Sequence, residues 1–143
     1  MSNIVEVVAK DRNLATLGNG MKAGGLEEEL MKDGPYTVFA PTDLAFSRLR
    51  TGEWPEIMKP DNKERLTTIM NNYVVKGRIH FKDFEDGQRL TTLSGKVLPV
   101  GVANGNVTID GAQIQGRDMV ASNGVVHSVD KVAPISAAVS SED

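Results

Sequence analysis

The stretch that decides the fold is YTVFAPTDLAF, which runs from Tyr36 to Phe46. Every residue before its proline is aromatic, β-branched or small, a composition typical of a strand. Pro41 has no N–H to donate to a ladder, so we expect the strand to end there. Thr42 is a good helix N-cap, and Asp43 would place a negative charge in the first turn of the following helix. The stretch therefore predicts a strand that turns at a corner into a helix, with Phe46 on the apolar face of that helix.

The chain on both sides of this corner predicts short helices. Apolar residues recur at helical spacing in residues 4–8, 14–21 and 26–30. A fourth helical pattern begins at Pro60 and gives way to a short strand at Val74 and Val75. We expect these helices to pack together or onto a sheet.

Beyond Gly87 the apolar pattern changes to a period of two residues, which is typical of strands. Residues 98–102 alternate in this way, and Pro99 among them predicts an edge strand. Asn104-Gly105 and Asp110-Gly111 predict tight turns, and a last strand lies in residues 125–132. Because helices come first and strands last, the sequence predicts an α+β fold rather than alternating βαβ units.

The length, net charge and composition of the chain argue against several classes of function. A length of 143 residues predicts one domain, which we place at residues 1–135, followed by a polar tail at residues 136–143. A net charge of -3 argues against a nucleic-acid partner. The absence of cysteine from the sequence excludes disulfides, thiolate metal sites and thiol nucleophiles. No apolar run reaches the roughly 18 residues of a membrane helix, so we expect a chain that does not span a membrane. The first residues lack the pattern of an export signal, which leaves the compartment open.

His127 is the main candidate for chemistry, and it shares its strand face with Val125 and Val129. One interpretation is a general base that works with Asp130 or Asp43. The other is a core-facing imidazole held by a hydrogen bond. We favour the second, because no serine or metal ligand is spaced to cooperate with the ring. The sequence also lacks a P-loop, a dinucleotide fingerprint and an HExxH motif, so we expect no catalysis, no metal and no cofactor.

Two segments resemble the signatures of fasciclin-type (FAS1) domains. YTVFAPTDLAF resembles the first signature, and ASNGVVHSVDKV, residues 121–132, resembles the second. The resemblance extends from about Ile4 to Val132 and suggests a single-domain bacterial or archaeal member. It implies a wedge-shaped β-sandwich with several short helices packed on it. The structural signature residues that it implies are Thr42, Asp43, Phe46 and His127.

A third segment, IMNNYVVKGRI, lies where the family carries a Tyr-His pair followed by two valines. In animal matrix members this neighbourhood is tied to integrin contact, as is an Asp-Ile pair that corresponds to Asp118-Met119 here. The resemblance therefore implies six candidate binding residues, which are Asn72, Tyr73, Val74, Val75, Asp118 and Met119. The family's Tyr-His pair is replaced by Asn72-Tyr73 in this chain. On residue chemistry alone, a solvated loop charge is the favoured interpretation of Asp118.

The function that the resemblance implies is a non-catalytic adhesion or interaction module. Such a module is usually secreted, displayed at the cell surface or periplasmic, although the sequence leaves the cytoplasm open. It would bind a cell-surface or matrix protein, or a glycan, through surface loops and the strand edge expected at Pro99. Weak self-association is a further expected property.

Two alternatives stay open. The first is a small-ligand-binding or periplasmic sensor domain that uses an apolar cleft between helices and sheet, near Phe46, Trp54 and Tyr73. The second is an enzyme, such as a hydrolase in which His127 works with an acid.

Overall fold

The computed structural model describes residues 2–30, 34–49 and 52–132 of the chain. The helices are α1 (Ile4–Lys10), α2 (Ala15–Ala23), α3 (Leu26–Leu30), α4 (Asp43–Ser47), α5 (Glu53–Ile57) and α6 (Lys63–Asn71). The strands are β1 (Tyr36–Pro41), β2 (Val74–Lys76), β3 (Arg89–Thr91), β4 (Val97–Ala103), β5 (Asn106–Ile109), β6 (Ala112–Gln113), β7 (Met119–Ala121) and β8 (Gly124–Val129). Helices precede most of the strands, so the predicted α+β class is confirmed. The polar tail predicted at residues 136–143 and the domain boundary placed at residue 135 lie outside the described residues.

The strands form two sheets of four strands each, with the orders β2-β1-β8-β7 and β3-β4-β5-β6. In the first sheet β1 and β8 are neighbours and run parallel, with Phe39 opposite His127. The two segments that resemble family signatures therefore lie side by side at the centre of one sheet.

Strand β1 separates two hydrophobic cores. Val38 and Ala40 belong to the core between the first sheet and the helices. Phe39, which points the other way, belongs to the core between the two sheets. Because both faces of β1 are covered, all of its residues are buried, which explains its continuous rather than alternating apolar pattern. The molecule is thus a layer of helices, a central sheet and a second sheet.

Asn123 joins the helical layer to the central sheet. Its side-chain oxygen accepts the N–H of Ile4 at 2.9 Å, and its amide donates to the carbonyl of Leu30. Its own carbonyl accepts the N–H of Tyr36 at 3.0 Å. One buried polar residue before β8 therefore holds the start of α1, the end of α3 and the start of β1.

The prediction that residues 98–102 form an edge strand is wrong. Strand β4 lies inside the second sheet, paired with β3 on one side and β5 on the other. Pro99 is tolerated because it lies beyond the residues of β4 that pair with β5, so its missing N–H leaves no ladder bond unmade. Its carbonyl still accepts the N–H of Asp110 at 2.8 Å. Register with β5 begins one residue later, at Val100 opposite Ile109. An exposed edge at Pro99 is therefore unavailable for binding.

The two predicted turns are confirmed. Asn104 and Gly105, between β4 and β5, have φ angles of 54° and 80°. Asp110 and Gly111, between β5 and β6, have φ angles of 52° and 86°. Two successive positive values identify type I′ turns, whose twist matches that of the flanking strands.

The described helices are all short, and α2 and α6 reach nine residues each. Among these described helices, none is both long and apolar enough to cross a membrane.

Candidate functional site

Thr42 and Asp43 hold two different helices at the corner after β1. The hydroxyl of Thr42 accepts the N–H of Ala45 at 3.2 Å, so Thr42 caps α4 as predicted. The carboxylate of Asp43 reaches away from its own helix and accepts the N–H of Thr16 at 2.7 Å. Thr16 lies in the first turn of α2, where the N-cap residue Leu14 makes no side-chain cap bond. Both polar side chains are thus engaged in holding helix N-termini.

Phe46 and Trp54 belong to the packed helical layer, with ring centroids 4.7 Å apart. The Trp54 ring also covers Gly20, where a Cβ atom would lie only 2.8 Å from it. The cleft predicted near Phe46, Trp54 and Tyr73 is therefore wrong for the first two residues, because their rings fill that region. Tyr73 lines a different cavity, between the sheets.

His127 is fully buried, with an exposed fraction of 0%. Its Nε2 lies 2.8 Å from the carbonyl oxygen of Ile79, and its Nδ1 accepts the N–H of Asp118 at 3.1 Å. Phe39 stacks on the ring, and Phe84 meets it edge to face. These partners require the neutral tautomer with the proton on Nε2. A general base would need one nitrogen facing a cleft, and both nitrogens face the protein backbone instead.

Burial lowers the pKa of His127 below its ordinary value of 6.5. The Ile79 carbonyl and the Asp118 carboxylate oppose this shift, whereas His80 adds to it. The ring is therefore neutral at pH 7, consistent with its two hydrogen bonds.

The candidates from Asn72 to Val75 lie in the interior. Their exposed fractions are 6% for Asn72, 7% for Tyr73, 0% for Val74 and 5% for Val75. The side-chain oxygen of Asn72 accepts a hydrogen bond from the hydroxyl of Ser94, and the two valines pack into opposite cores. A surface contact through these four side chains is therefore not supported, because the protein itself covers them.

Asp118, in contrast, is exposed and highly connected. Its backbone has a φ of 56°, and its carboxylate accepts the N–H of Phe81 at 2.8 Å. The same oxygen lies 3.5 Å from Nδ1 of His80, and the Asp118 side chain is 41% exposed. Asp118 is thus a junction between two loops rather than a solvated loop charge. Met119 begins β7 and packs partly against the helical core.

The residues around Asp118 form an exposed groove. The guanidinium carbon of Arg117 lies 4.2 Å from the centroid of the Phe81 ring, which is a cation–π contact. We name the groove the 80–82/117–118 surface, and its residues are His80, Phe81, Lys82, Arg117 and Asp118. Of these five residues, only Asp118 was a binding candidate predicted from the sequence. An aromatic residue between basic ones in RIHFK was the available signal.

Within residues 2–30, 34–49 and 52–132, no three His, Asp or Glu side chains converge in a way that could hold a metal ion.

Comparison with known proteins agrees with this architecture. Residues 12–134 match the family described as the fasciclin domain. Protein sll1483 of Synechocystis sp. is 39% identical over 129 residues, which cover 90% of this chain and 71% of that protein. Transforming growth factor-beta-induced protein ig-h3 of Sus scrofa is 32% identical over 92% of this chain, which spans 19% of ig-h3.

Among solved structures, the chain is similar to a FAS1 domain pair from the insect cell adhesion molecule fasciclin I. The TM-score is 0.83, with 14% identity over 96% of this chain and 52% of that one. The fold, the family match over residues 12–134 and the relatives agree, and this chain belongs to the fasciclin domain family.

Proposed function

We propose that this chain is a non-catalytic interaction module that binds a cell-surface or matrix protein, or a glycan, through the 80–82/117–118 surface. The observation that carries the proposal is the hydrogen bond from the Phe81 N–H to the carboxylate of Asp118. It joins the backbone of Phe81 on one loop to the side chain of Asp118 on another, so the two loops of the contact surface are held together before a partner arrives. A preformed surface loses less conformational entropy on binding than a mobile loop does.

The composition of this surface also supports the proposal. Aromatic residues and arginine are enriched at the centres of protein interfaces, and here Arg117 lies over Phe81. Lys82 and Arg117 are exposed and positively charged, and Asp118 is the acidic residue among the five that line the groove. The edge strand β7 starts next to Asp118 and presents Val120, which is 48% exposed. A basic and aromatic groove beside an apolar edge suits an acidic glycan or an acidic protein segment.

The similar proteins suggest the compartment in which this chain works. The structural neighbour comes from a molecule described as an insect cell adhesion molecule. By analogy we place this chain outside the cytoplasm, either secreted, at the cell surface or in the periplasm. Many copies that each bind weakly would adhere through avidity, and weak self-association would strengthen the effect.

The test is binding of the purified chain to immobilised matrix proteins and to neutral and acidic polysaccharides. We expect saturable binding to at least one partner, and we expect Arg117→Ala and Phe81→Ala to weaken it. Lys63→Ala is the matched control, because Lys63 is exposed on α6 outside the groove. Equal loss of binding in all three variants, or no saturable binding across the panel, would contradict the proposal.

A further inference from the structure

A second concave region lies between the two sheets and is independent of the 80–82/117–118 surface. It is a cavity of about 400 Å³. Phe39 and Val129 contribute one wall from the central sheet, and Leu98, Ile109 and Ala112 contribute the other from the second sheet. All five side chains belong to the core between the sheets. The walls are therefore continuous with a hydrophobic core, and they offer an apolar ligand the same environment.

The polar groups of this cavity include two cationic side chains. Lys96 pairs with Asp110 at 3.3 Å, and Lys131, which is exposed, also lines the cavity. These three side chains carry two positive charges and one negative charge. The excess positive charge favours a ligand with an anionic group.

We propose that this cavity binds an amphiphilic anion, with the chemistry of a single-chain fatty carboxylate. Its hydrocarbon chain would lie against the cavity wall that Leu98, Ile109 and Ala112 help to form, and its carboxylate would face the ammonium groups of Lys96 and Lys131. Ligand sites typically measure about 300–1,000 Å³ and have mostly apolar walls with a few placed polar groups. The cavity of about 400 Å³ meets both criteria.

The first experiment uses isothermal titration calorimetry of the whole chain with dodecanoate below its micelle concentration. We expect saturable one-to-one binding with a negative heat-capacity change, because apolar surface is buried. Dodecyltrimethylammonium has the same chain with a cationic head, and we expect it to bind more weakly. Equal affinity for the two amphiphiles, or no saturable binding of dodecanoate, would overturn the proposal.

Two variants locate the site. Ala112→Leu adds bulk inside the cavity, and we expect the Kd for dodecanoate to rise roughly ten-fold or more. Ala103→Leu makes the same change at the far end of β4, where Ala103 is exposed, and it should leave the Kd unchanged. An unchanged Kd in Ala112→Leu would place the ligand elsewhere and overturn the assignment.

A charge variant keeps the test independent of core packing. Lys131→Met removes the ammonium of an exposed side chain and should raise the Kd for dodecanoate roughly two- to five-fold. Lys63→Met, on the surface of α6, is its matched control and should have no effect. If both variants leave the Kd unchanged, the charge argument fails, and the proposed anionic class of ligand fails with it.

Discussion

The backbone N–H of Asp118 donates a hydrogen bond of 3.1 Å to Nδ1 of the buried imidazole of His127. Asp118 in turn accepts the N–H of Phe81, and His127 also contacts the carbonyl of Ile79. The more deeply buried of the two histidines therefore links the exposed loops that form the candidate surface. This relationship explains how a core residue can affect binding without touching a partner.

Protonation of His127 should destabilise the protein. Because burial lowers its pKa below 6.5, the unfolded chain takes up a proton before the folded chain does. The contribution of the neutral ring is complete above pH 6.5 and is lost as the pH falls toward the lowered folded value. We expect the free energy of unfolding to decrease below pH 6.5, with a slope of up to about 1.4 kcal/mol per pH unit. Urea denaturation between pH 5.5 and pH 7.5 measures it.

The controls for this prediction are the two histidine variants. His127→Gln should be less stable at every pH but should lose the slope below pH 6.5. His80→Gln should keep that slope, since it leaves His127 in place. A wild-type protein whose stability does not change over this range would contradict the prediction.

Asp118 should be replaceable by asparagine but not by alanine. Its φ of 56° is a conformation that asparagine tolerates better than alanine. Asparagine can also accept the Phe81 N–H through its side-chain oxygen. We expect Asp118→Ala to lose about 0.5–1.5 kcal/mol of unfolding free energy for the hydrogen bond. It should lose more because alanine is strained at a positive φ, whereas Asp118→Asn should stay near wild type. Guanidinium denaturation of both variants tests this, and equal losses would refute it.

The sequence predicts the local parts of the fold and misses the relationships between distant segments. The cap at Thr42 and the turn at Asn104-Gly105 were predictable because each depends on adjacent residues. The position of β4 inside its sheet was not predictable, because Pro99 is tolerated there only since the pairing with β5 begins one residue later, at Val100. The exposed groove was missed because it depends on Phe81 meeting Asp118, which is 37 residues away. The buried side chain of Asn72 likewise has a hydrogen-bond partner that is distant in sequence, the hydroxyl of Ser94.

Substitutions at the corner after β1 should destabilise the protein through two different helices, α4 for Thr42 and α2 for Asp43. Thr42→Ala removes the cap of α4 and should cost about 1 kcal/mol. Thr42→Ser keeps the hydroxyl and is the matched control, with a much smaller loss expected. Asp43→Ala removes the acceptor for the Thr16 N–H and should cost a similar amount through α2. Thermal and urea denaturation measure the losses.

Hydrogen exchange should show which helix each of these two side chains stabilises. Hydrogen exchange should quicken in the first turn of α2 in Asp43→Ala and in the first turn of α4 in Thr42→Ala. Faster exchange confined to α4 in both variants would contradict the assignment of Asp43 to α2.

Gly124 should be the glycine least tolerant of a side chain. A Cβ atom on Gly124 would lie 2.0 Å from the carbonyl oxygen of Tyr36 and 2.6 Å from Cδ1 of Ile4. Both neighbours are held where β8 meets β1 and α1, so strand pairing would have to shift. We expect Gly124→Ala to lose at least about 1–3 kcal/mol of unfolding free energy.

Gly18→Ala is the matched control: its Cβ would meet only Cγ1 of Val8 at 3.7 Å. Because Gly18 lies inside α2, alanine there should stabilise the protein by about 0.5–1 kcal/mol. Opposite signs in urea denaturation would show that close approach, and not the loss of glycine as such, decides the outcome. Equal destabilisation of the two variants would refute that explanation.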